Sequence, residues 1–460
     1  MIMQYFRKNF LLVLLLGLIL LIAIPSAFAT SVDSNLTSSS SSNVVLESNI
    51  SHVESNINSP NIDINESHVE SSVNSPNINI DDSLDVNDNK ILNSNNSINS
   101  DNSNLVVKNN LLKDSSNGII YVSLNGSDTN GDGSLDNPYA TIKYALTKVN
   151  NTCNVIKLFN GVYTEYGFNL NNDVSIIGES QNGTIIDGNK TNSIFVVNSN
   201  LVLKSLTLRN ANSRIYGAAV IVKSGATLNV DNCSFINNTA SGSAGIDNSG
   251  TVLVNNSYFE GNTASSHDGG AVSGVSESFT TILNSVFVNN TAYRDGGAIK
   301  ADNSTLLIVG SKFVNNIASG YADTLGGAVY VYGADAKVYN SSFIGNSVVN
   351  GTGAAIYAES SYFSQAFLDV SNCVAVNNSV NNDYDYPDYS AVFDYVYAYG
   401  NLTYSLISDN KAPYALANAS SVLNIDYNWW GNTQDNKTFD SNLLYDISDP
   451  NYWLILRIKY

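Results

Sequence analysis

The stretch from Phe287 to Ile299 reads Phe-Val-Asn-Asn-Thr-Ala-Tyr-Arg-Asp-Gly-Gly-Ala-Ile, and both of its halves recur along the chain. The Asn of the first half, Phe-x-x-Asn, returns at intervals of 24 to 32 residues, and two late copies at Asn378 and Asn410 lack the Phe. The complete copies are Phe235 with Asn238, Phe259 with Asn262, Phe287 with Asn290, Phe313 with Asn316, and Phe343 with Asn346. The second half supplies the pairs Gly269-Gly270, Gly296-Gly297 and Gly326-Gly327. Such a period predicts a stacked solenoid, in which each unit buries its apolar face only against its neighbours.

Short runs of alternating apolar and polar residues lie between these copies, for example in residues 226–230 and 306–309. Alternation over a few residues, bounded by Gly, Asn, Asp and Ser, predicts β-strands. No helical apolar period is sustained within the repeats. We therefore predict an all-β fold, a single-stranded right-handed parallel β-helix of roughly nine coils with two or three short strands in each.

In such a helix, equivalent residues of successive coils lie about 4.8 Å apart. The recurring Phe residues then form an internal stack of rings, and the recurring Asn residues form a ladder of side-chain hydrogen bonds. Gly-Gly-Ala suits a corner that requires left-handed dihedral angles and close backbone approach. All of these repeat residues are predicted to be structural.

The Phe-x-x-Asn and Gly-Gly-Ala-Ile repeats resemble those of the polymorphic outer-membrane proteins of chlamydiae. They resemble more closely the Asn/Thr-rich adhesin-like surface proteins of methanogenic archaea. The segment Tyr427–Asn432 is similar to the one that closes the β-helix in the archaeal group, and residues 120–142 are similar to the start of secreted pectate-lyase-like β-helices. The resemblance implies a secreted or cell-surface adhesin without catalytic activity, whose partners are host or microbial surface glycans or proteins.

In the archaeal group, the closing segment leads into immunoglobulin-like stalk modules and a wall-binding end. Here the sequence stops at Tyr460, soon after a short apolar run. The resemblance therefore leaves three alternatives: a released form, a truncated copy, or a chain held at the surface through partners. The sequence predicts no second apolar run long enough for a membrane anchor.

The first 29 residues carry a basic flank at Arg7 and Lys8, an apolar run and the small-residue site Ala27-Phe28-Ala29. This pattern predicts a secretory signal peptide, which would act as a membrane anchor if it were retained. Residues 30–116 are rich in Ser, Asn and Asp and contain no aromatic residue. Because such a segment buries little apolar surface, a disordered spacer is predicted.

The chain contains 40 acidic and 21 basic residues, which gives a net charge of −19 and a pI near 4.3. This balance argues against binding of nucleic acid or anionic lipid through a basic face. Most of the polarity comes from Asn, Ser and Thr. Sequons that predict N-glycosylation begin at Asn237, Asn255, Asn289, Asn340 and Asn377.

An amphipathic helix is predicted over residues 140–149, with Ile142, Ala145, Leu146 and Val149 on one face. It lies just before the repeats, where an exposed first coil would offer strand edges to other chains. We interpret it as an N-terminal cap over the solenoid core, with a partner-binding helix as the alternative.

The loop just before this helix has the spacing of a partial calcium site, with Asp128, Asn130, Asp132 and Asp136 at positions 1, 3, 5 and 9. Position 12 is Tyr139, so the bidentate Glu of a complete loop is missing. A tight polar turn held by Asx hydrogen bonds explains the same residues. No cofactor is predicted apart from this calcium alternative.

Parallel β-helices also host polysaccharide lyases and glycoside hydrolases, so catalytic residues must be considered. The best candidates are Asp268 and Asp295, each of which precedes a Gly-Gly pair. Stacking would place them about 5 Å apart, near the separation of a retaining carboxylate pair. The next coil has Leu325 at this place, however, and Asp before Gly is a common turn pair. A polysaccharide-active enzyme is thus the main alternative to an adhesin, and a structural envelope component is the second.

The three cysteines are Cys153, Cys233 and Cys373. The last two hold the same slot of their repeats, five coil steps and hence about 24 Å apart. A disulfide requires Cα atoms within about 7 Å. We therefore predict free, buried thiols at these two positions.

The predicted organisation has five parts. Residues 1–29 form the signal peptide and residues 30–116 the spacer. Residues 117–190 form the first turns of the β-helix with its helical cap, and residues 191–432 form the repeat domain. Residues 433–460 form a closing segment, or the start of a stalk module.

Overall fold

The structure is a computed structural model, which describes residues 118–214, 217–267, 269–320, 323–381, 391–412, 415–419 and 423–431. It also gives five short strands outside these ranges. The predicted signal peptide lies outside the described residues, as do the spacer and the closing segment apart from these strands. The contacts divide the chain into two units, one of residues 65–455, which contains the repeats, and one of residues 1–64 and 456–460.

Within the unit of residues 65–455, the described residues from 118 to 431 form an all-β right-handed parallel solenoid of about 9 turns, which confirms the predicted fold. One coil consists of Thr251–Asn255, Tyr258–Glu260, Thr263–Ala264 and Val272–Val275, and the next coil begins at Phe279. Each full coil of this kind has four strands rather than the two or three predicted, because the two residues after the ladder Asn, such as Thr263–Ala264, also form a short strand. Equivalent strands pair in register to give four long parallel sheets, named A to D here in the order in which a coil visits them.

Sheet A has 12 strands. They are Ile119–Val122, Val155–Leu158, Val174–Gly178, Asn200–Lys204, Thr227–Asp231, Thr251–Asn255, Phe279–Leu283, Thr305–Val309, Asp335–Tyr339, Phe367–Ser371, Tyr399–Thr403 and Leu423–Asn424. Sheet B has 10 strands. They are Gly161–Tyr163, Thr184–Asp187, Thr207–Arg209, Ser234–Ile236, Tyr258–Glu260, Val286–Val288, Lys312–Val314, Ser342–Ile344, Val374–Val376 and Leu406–Ser408.

Sheet C has 7 strands. They are Asn212–Ser213, Thr239–Ala240, Thr263–Ala264, Thr291–Ala292, Ile317–Ala318, Ser347–Val349 and Ser379–Asn381. Sheet D has 11 strands. They are Phe168–Leu170, Phe195–Val197, Val220–Val222, Ile246–Asn248, Val272–Val275, Ile299–Asp302, Val329–Tyr332, Ile356–Glu359, Ala391–Val396, Ala415–Ala419 and Leu444–Tyr445.

The remaining strands form three two-stranded pairs. Thr324–Leu325 pairs in parallel with Gly351–Thr352 at a corner of the solenoid, and Ile78–Asn79 pairs in parallel with Leu105–Val106. In the smaller unit, Ile62–Asp63 pairs antiparallel with Arg457–Ile458.

The Phe residues of sheet B form a continuous stack inside the solenoid. Neighbouring ring centroids from Phe235 to Phe343 lie 4.5, 4.7, 4.9 and 5.0 Å apart, and the ring planes are within 8° of parallel. All five side chains are fully buried. In-register pairing of sheet B places equivalent residues of neighbouring coils side by side, so one Phe per coil is enough to fill this edge of the core.

The Asn residues that follow the Phe residues form a buried ladder at the bend between sheets B and C. At Asn290, Nδ2 donates to Asn316 Oδ1 at 2.9 Å and to the Phe259 carbonyl at 3.0 Å. Its Oδ1 accepts from the Asn262 Nδ2 at 2.9 Å and from the Asn262 backbone N–H at 3.1 Å. The same pattern runs from Asn238 to Asn410. Each internal amide is therefore satisfied without water.

A second ladder, which the sequence analysis does not anticipate, lies at the bend between sheets A and B. Each Ser Oγ donates to the backbone carbonyl two residues earlier and accepts from the backbone N–H of the equivalent residue in the preceding coil. At Ser285, Oγ donates to the Leu283 carbonyl at 2.6 Å and accepts from the Ser257 N–H at 3.1 Å. The members are Ser257, Ser285, Ser311, Ser341 and Ser405. Cys233 and Cys373 occupy this slot, and each Sγ lies 3.3 Å from the equivalent carbonyl.

All three cysteines are free, and Cys233 and Cys373 are buried, as predicted. Burial raises the pKa of each of these two thiols to about 12. They take the place of ladder serines, so they are hydrogen-bonding members of a repeat rather than only small apolar side chains. Cys153 is partly exposed.

The helix that was interpreted as a cap, α1, spans Ile142–Leu146 and is shorter than the predicted 140–149. Thr141 is its N-cap, and the carboxylate of Glu165 accepts from the backbone N–H groups of Ile142 (2.8 Å) and Lys143 (2.9 Å). Thr147 is the C-cap of the helix, and the chain then turns at Asn150, whose Oδ1 accepts from the backbone N–H groups of Thr152 and Cys153. Within the described part of the chain, no helix has the length and apolar character needed to cross a membrane.

Candidate ligand-binding surface

The carboxylate of Asp295 is used to hold the next coil in place. Only 2% of the residue is exposed. Its Oδ1 accepts from the backbone N–H of Leu325 at 2.9 Å, and its Oδ2 lies 3.6 Å from Arg294 Nη2. Asp268, the other predicted catalytic residue, lies outside the described residues. The predicted pair therefore stays a prediction.

The Gly-Gly corner is a place of close backbone contact. Gly296 has φ of +65°, and a Cβ at Gly297 would lie 2.1 Å from the carbonyl oxygen of Gly327 in the next coil. Neither position accepts a side chain without strain. The repeat glycines are therefore required by the fold, and they leave little freedom for a ligand site at this corner.

The acidic loop before the helix is folded as a polar turn. Asp128 Oδ1 accepts from the backbone N–H groups of Ala140 (2.8 Å) and Thr141 (3.0 Å), while its Oδ2 accepts from Thr141 Oγ1. Asp132 Oδ1 accepts from the Ser134 N–H at 2.9 Å, and hydrogen bonds from Ser134 lower the pKa of Asp132.

The amide of Asn137 donates to the backbone carbonyl of Asn130, and Asp136 is exposed. Among the described residues, no group of three or more Asp, Glu, His or Cys side chains has the geometry of a metal site. The carboxylates of Asp128 and Asp132 thus accept hydrogen bonds from the start of the helix and from the turn, and calcium binding by this loop stays a prediction.

The outer face of sheet D carries a row of side chains that stand in register across successive coils. The row runs through Ile221, Asp247, Ser273, Lys300, Tyr330, Tyr357 and Asp394. The glycine corners lie against this row, since a Cβ at Gly217 would be 2.9 Å from the Asp247 Cβ. Several members are therefore buried although they point away from the core.

Asp247 stands out in this row because its carboxylate has no hydrogen-bond partner among the described residues. Burial raises its pKa to about 6, against a smaller opposing effect of Lys223. Lys300, two coils further on, pairs with Asp302 at 3.1 Å and lies 6.0 Å from the centre of the Tyr330 ring. A largely buried carboxyl group with a pKa near 6 can act as an acid or a base.

The solvent-exposed aromatic residues concentrate at one corner, between sheets D and A near the C-terminal end of the repeats. Tyr362 and Phe363 are both 93% exposed, and their rings meet edge to face at 5.0 Å. Tyr397 is 67% exposed, while Phe367 and Tyr399 are about 40% exposed and pair in register on sheet A. We call these five residues the aromatic corner.

An insertion creates this corner. Seven residues, 360–366, connect sheets D and A here, whereas two residues, 333–334, make the same connection in the preceding coil. In repeat proteins, insertions of this kind map to loops on one face, often the binding face. The sequence analysis missed the corner because it followed the conserved spacing within the repeats and not the places where the spacing changes.

Hydrogen bonds fix the inserted loop while its rings remain in solvent. Ser361 Oγ accepts from the backbone N–H groups of Phe363 (3.3 Å) and Ser364 (2.9 Å) and lies 3.1 Å from Asn303 Oδ1, two coils back. Ser360 Oγ donates to the Tyr397 carbonyl at 2.6 Å. The loop is therefore held by its serines, and burial of Tyr362 and Phe363 contributes nothing to the fold.

Residues 284–302 match the family described as the Chlamydia polymorphic membrane protein repeat. This stretch contains Phe287, Asn290 and the glycine pair at 296–297, so the recurring unit is of the polymorphic-membrane-protein type. No curated protein matches the sequence.

Among solved structures, pectate lyase Pel9A is similar, with a TM-score of 0.42 and 15% identity over 69% of this chain and 81% of its own. The polygalacturonase from Erwinia carotovora has a TM-score of 0.39 and 12% identity, covering 75% and 99% of the two chains. The GH136 lacto-N-biosidase from Eubacterium ramulus has a TM-score of 0.35 and 12% identity, covering 74% and 68%. Likenesses at this level carry no argument about chemistry.

Proposed function

We propose that this chain is an adhesin-like protein, secreted or displayed at the cell surface, which binds glycans through the aromatic corner. The observation that carries the proposal is the pair Tyr362 and Phe363, held by a fixed loop and 93% exposed. Exposed apolar groups gathered in one place mark interaction sites. The polymorphic-membrane-protein type of the repeat, the signal-like sequence of residues 1–29 and the resemblance to archaeal adhesin-like proteins support the surface location.

Glycans fit this corner better than a flat protein partner. A sugar ring has an apolar face of C–H groups that packs on an aromatic ring, while its hydroxyls need hydrogen-bonding groups at the rim. Ser364 and Gln365, in the same loop as the two rings, carry such groups. The protruding pair offers two ring faces at an angle, which suits a narrow saccharide chain. A protein ligand remains a distinct outcome of the test.

The test is a glycan array with the full chain, followed by titration of the strongest ligand against a variant with Tyr362→Ser and Phe363→Ser. We expect at least tenfold weaker binding, about 1.4 kcal/mol, with an unchanged melting temperature. Tyr293→Ser is the matched control, since Tyr293 is a 45% exposed aromatic residue in another coil. Unchanged affinity in the double variant, or binding only to protein ligands, would refute the proposal.

The second candidate function is a polysaccharide-active enzyme, and Asp247 is the observation that favours it. This carboxyl has a pKa near 6, lacks a hydrogen-bond partner among the described residues, and lies on the outer face of sheet D in register with Lys300, two coils away. The same glycans are incubated with the chain and their reducing ends are counted over time. Turnover that Asp247→Asn abolishes without loss of fold would establish the enzyme. Binding without cleavage would reject it.

A further inference from the structure

A cavity lies near the N-terminal end of the repeats. It is formed by the turn that follows the sheet B strand Thr184–Asp187 and by the sheet C strand Asn212–Ser213. The cavity has a volume of about 450 Å³. It is lined by Lys190, Thr191, Asn192, Asn212, Ser213 and Arg214. All six lining residues are polar, with two cations, two amides and two hydroxyls among them, and the size of the cavity is within the range of small-ligand sites.

The turn that carries Lys190 is held in an unusual conformation. Asn189 and Lys190 have φ of +50° and +55°, and two successive non-glycine residues in this region cost conformational energy. Asp187 Oδ1 accepts from the Asn189 N–H at 2.9 Å, and the Lys190 N–H donates to the Asn210 carbonyl at 2.7 Å. The lysine is thus presented from a fixed backbone.

The acidic group nearest to the turn is already paired with another cation. Asp187 Oδ2 accepts from Arg209 Nε at 2.7 Å and from Asn210 Nδ2 at 3.0 Å. Among the described residues, neither Lys190 nor Arg214 has an ion pair. Two unpaired cations on one cavity contrast with the chain as a whole, which has a net charge of −19.

We propose that this cavity binds an acidic saccharide, a sugar carrying a carboxylate or a sulfate. The guanidinium of Arg214 presents a planar fork of donors that matches either anion, and the ammonium of Lys190 adds a point charge. The amides and hydroxyls of the lining match sugar hydroxyls. The cavity is six strand steps of sheet A, about 29 Å, from the aromatic corner, so the two sites act separately.

The experiment is calorimetric titration of the full chain with four probes: a hyaluronan hexasaccharide, a chondroitin sulfate hexasaccharide, neutral maltohexaose and inorganic sulfate. We expect an acidic hexasaccharide to bind and the pair Lys190→Gln with Arg214→Gln to weaken it at least tenfold. The matched control is Lys312→Gln with Lys337→Gln, which removes the same charge several coils away and should leave affinity within twofold.

Three results would overturn the proposal. Equal losses in both double variants would show an effect of overall charge. Maltohexaose binding as tightly as the acidic sugars would remove the role of the cations, and full displacement by equimolar inorganic sulfate would show a simple anion site. Since Tyr362→Ser with Phe363→Ser should leave this binding intact, failure here and failure of the aromatic corner are distinguishable.

Discussion

Replacing Asn290 by Asp tests the internal ladder with a side chain of the same shape. The change removes both donors of the Asn290 amide, which serve Asn316 Oδ1 and the Phe259 carbonyl. It keeps the two bonds accepted from Asn262. An oxygen then faces two acceptor oxygens in a site that is 0% exposed.

The expected cost follows from these contacts. Two lost hydrogen bonds contribute about 1 kcal/mol each, and the buried acceptors left without donors add about 1–3 kcal/mol. Burying the new carboxylate raises its pKa, so it takes up a proton or remains an unpaired charge. We therefore expect Asn290→Asp to lower the free energy of unfolding by about 3–6 kcal/mol at pH 7. Because the raised pKa favours protonation, which restores one donor, the cost should shrink as the pH falls towards 4.

The control is Asn289→Asp, which adds the same charge one residue away. Asn289 is exposed and has φ of +54°, a conformation that Asp tolerates. It should cost no more than about 0.5 kcal/mol. Both variants are unfolded in urea and followed by far-ultraviolet circular dichroism and by fluorescence, since repeat proteins can lose two-state behaviour. A difference below about 1 kcal/mol between the variants would show that the ladder does not stabilise the solenoid in the way argued.

Three further outcomes are expected. Phe287→Ala removes a fully buried ring stacked at 4.7 and 4.9 Å and should cost about 3–5 kcal/mol in urea unfolding; a cost below 1 kcal/mol would contradict the stack. Asp247→Asn should stabilise the fold at pH 7 by up to about 3 kcal/mol, because a shift from 3.8 to about 6 is worth 1.36 kcal/mol per unit. A raised folded-state pKa destabilises the fold above pH 6, so this gain should fade between pH 6 and pH 4 in thermal melts, and a gain independent of pH would contradict it. Iodoacetamide should label Cys153 in the folded chain and reach Cys233 and Cys373 only in denaturant; mass spectrometry reads the sites, and rapid native labelling of either buried thiol would refute their burial.

The parts of the fold that repeat could be predicted from the sequence. The spacing of Phe235 and Asn238 with their later copies predicted the ring stack and the amide ladder, because in-register stacking turns a period in sequence into a line of contacts. The serine ladder had an equally regular signal, two residues before each Phe, as at Ser285 and Ser311. It was overlooked because a small polar residue beside a turn has several ordinary explanations.

The candidate sites were harder to predict because they depend on departures from the period. Asp247 is an ordinary acidic residue in the sequence, and its pKa is raised by burial in the folded chain, where the corner at Gly217 lies against it. The cavity at Lys190 and Arg214 needs two segments that are distant in sequence to meet across neighbouring coils. The length of the 360–366 loop could be predicted from the repeat spacing in the sequence, but the solvent exposure of its aromatic rings could not.

Residues of the repeats and residues of the inserted loop differ in how strongly the fold constrains them, and this difference bears on function. A residue on a ladder is constrained by the coil before it and the coil after it, so a change there costs stability whatever it does for binding. The loop at 360–366 is held by Ser360 and Ser361, while Tyr362 and Phe363 are 93% exposed. Substituting these rings should therefore alter recognition and leave the melting temperature unchanged. A solenoid can change its ligand at such insertions without altering the ladders that hold its coils together, and this is where binding should be sought first.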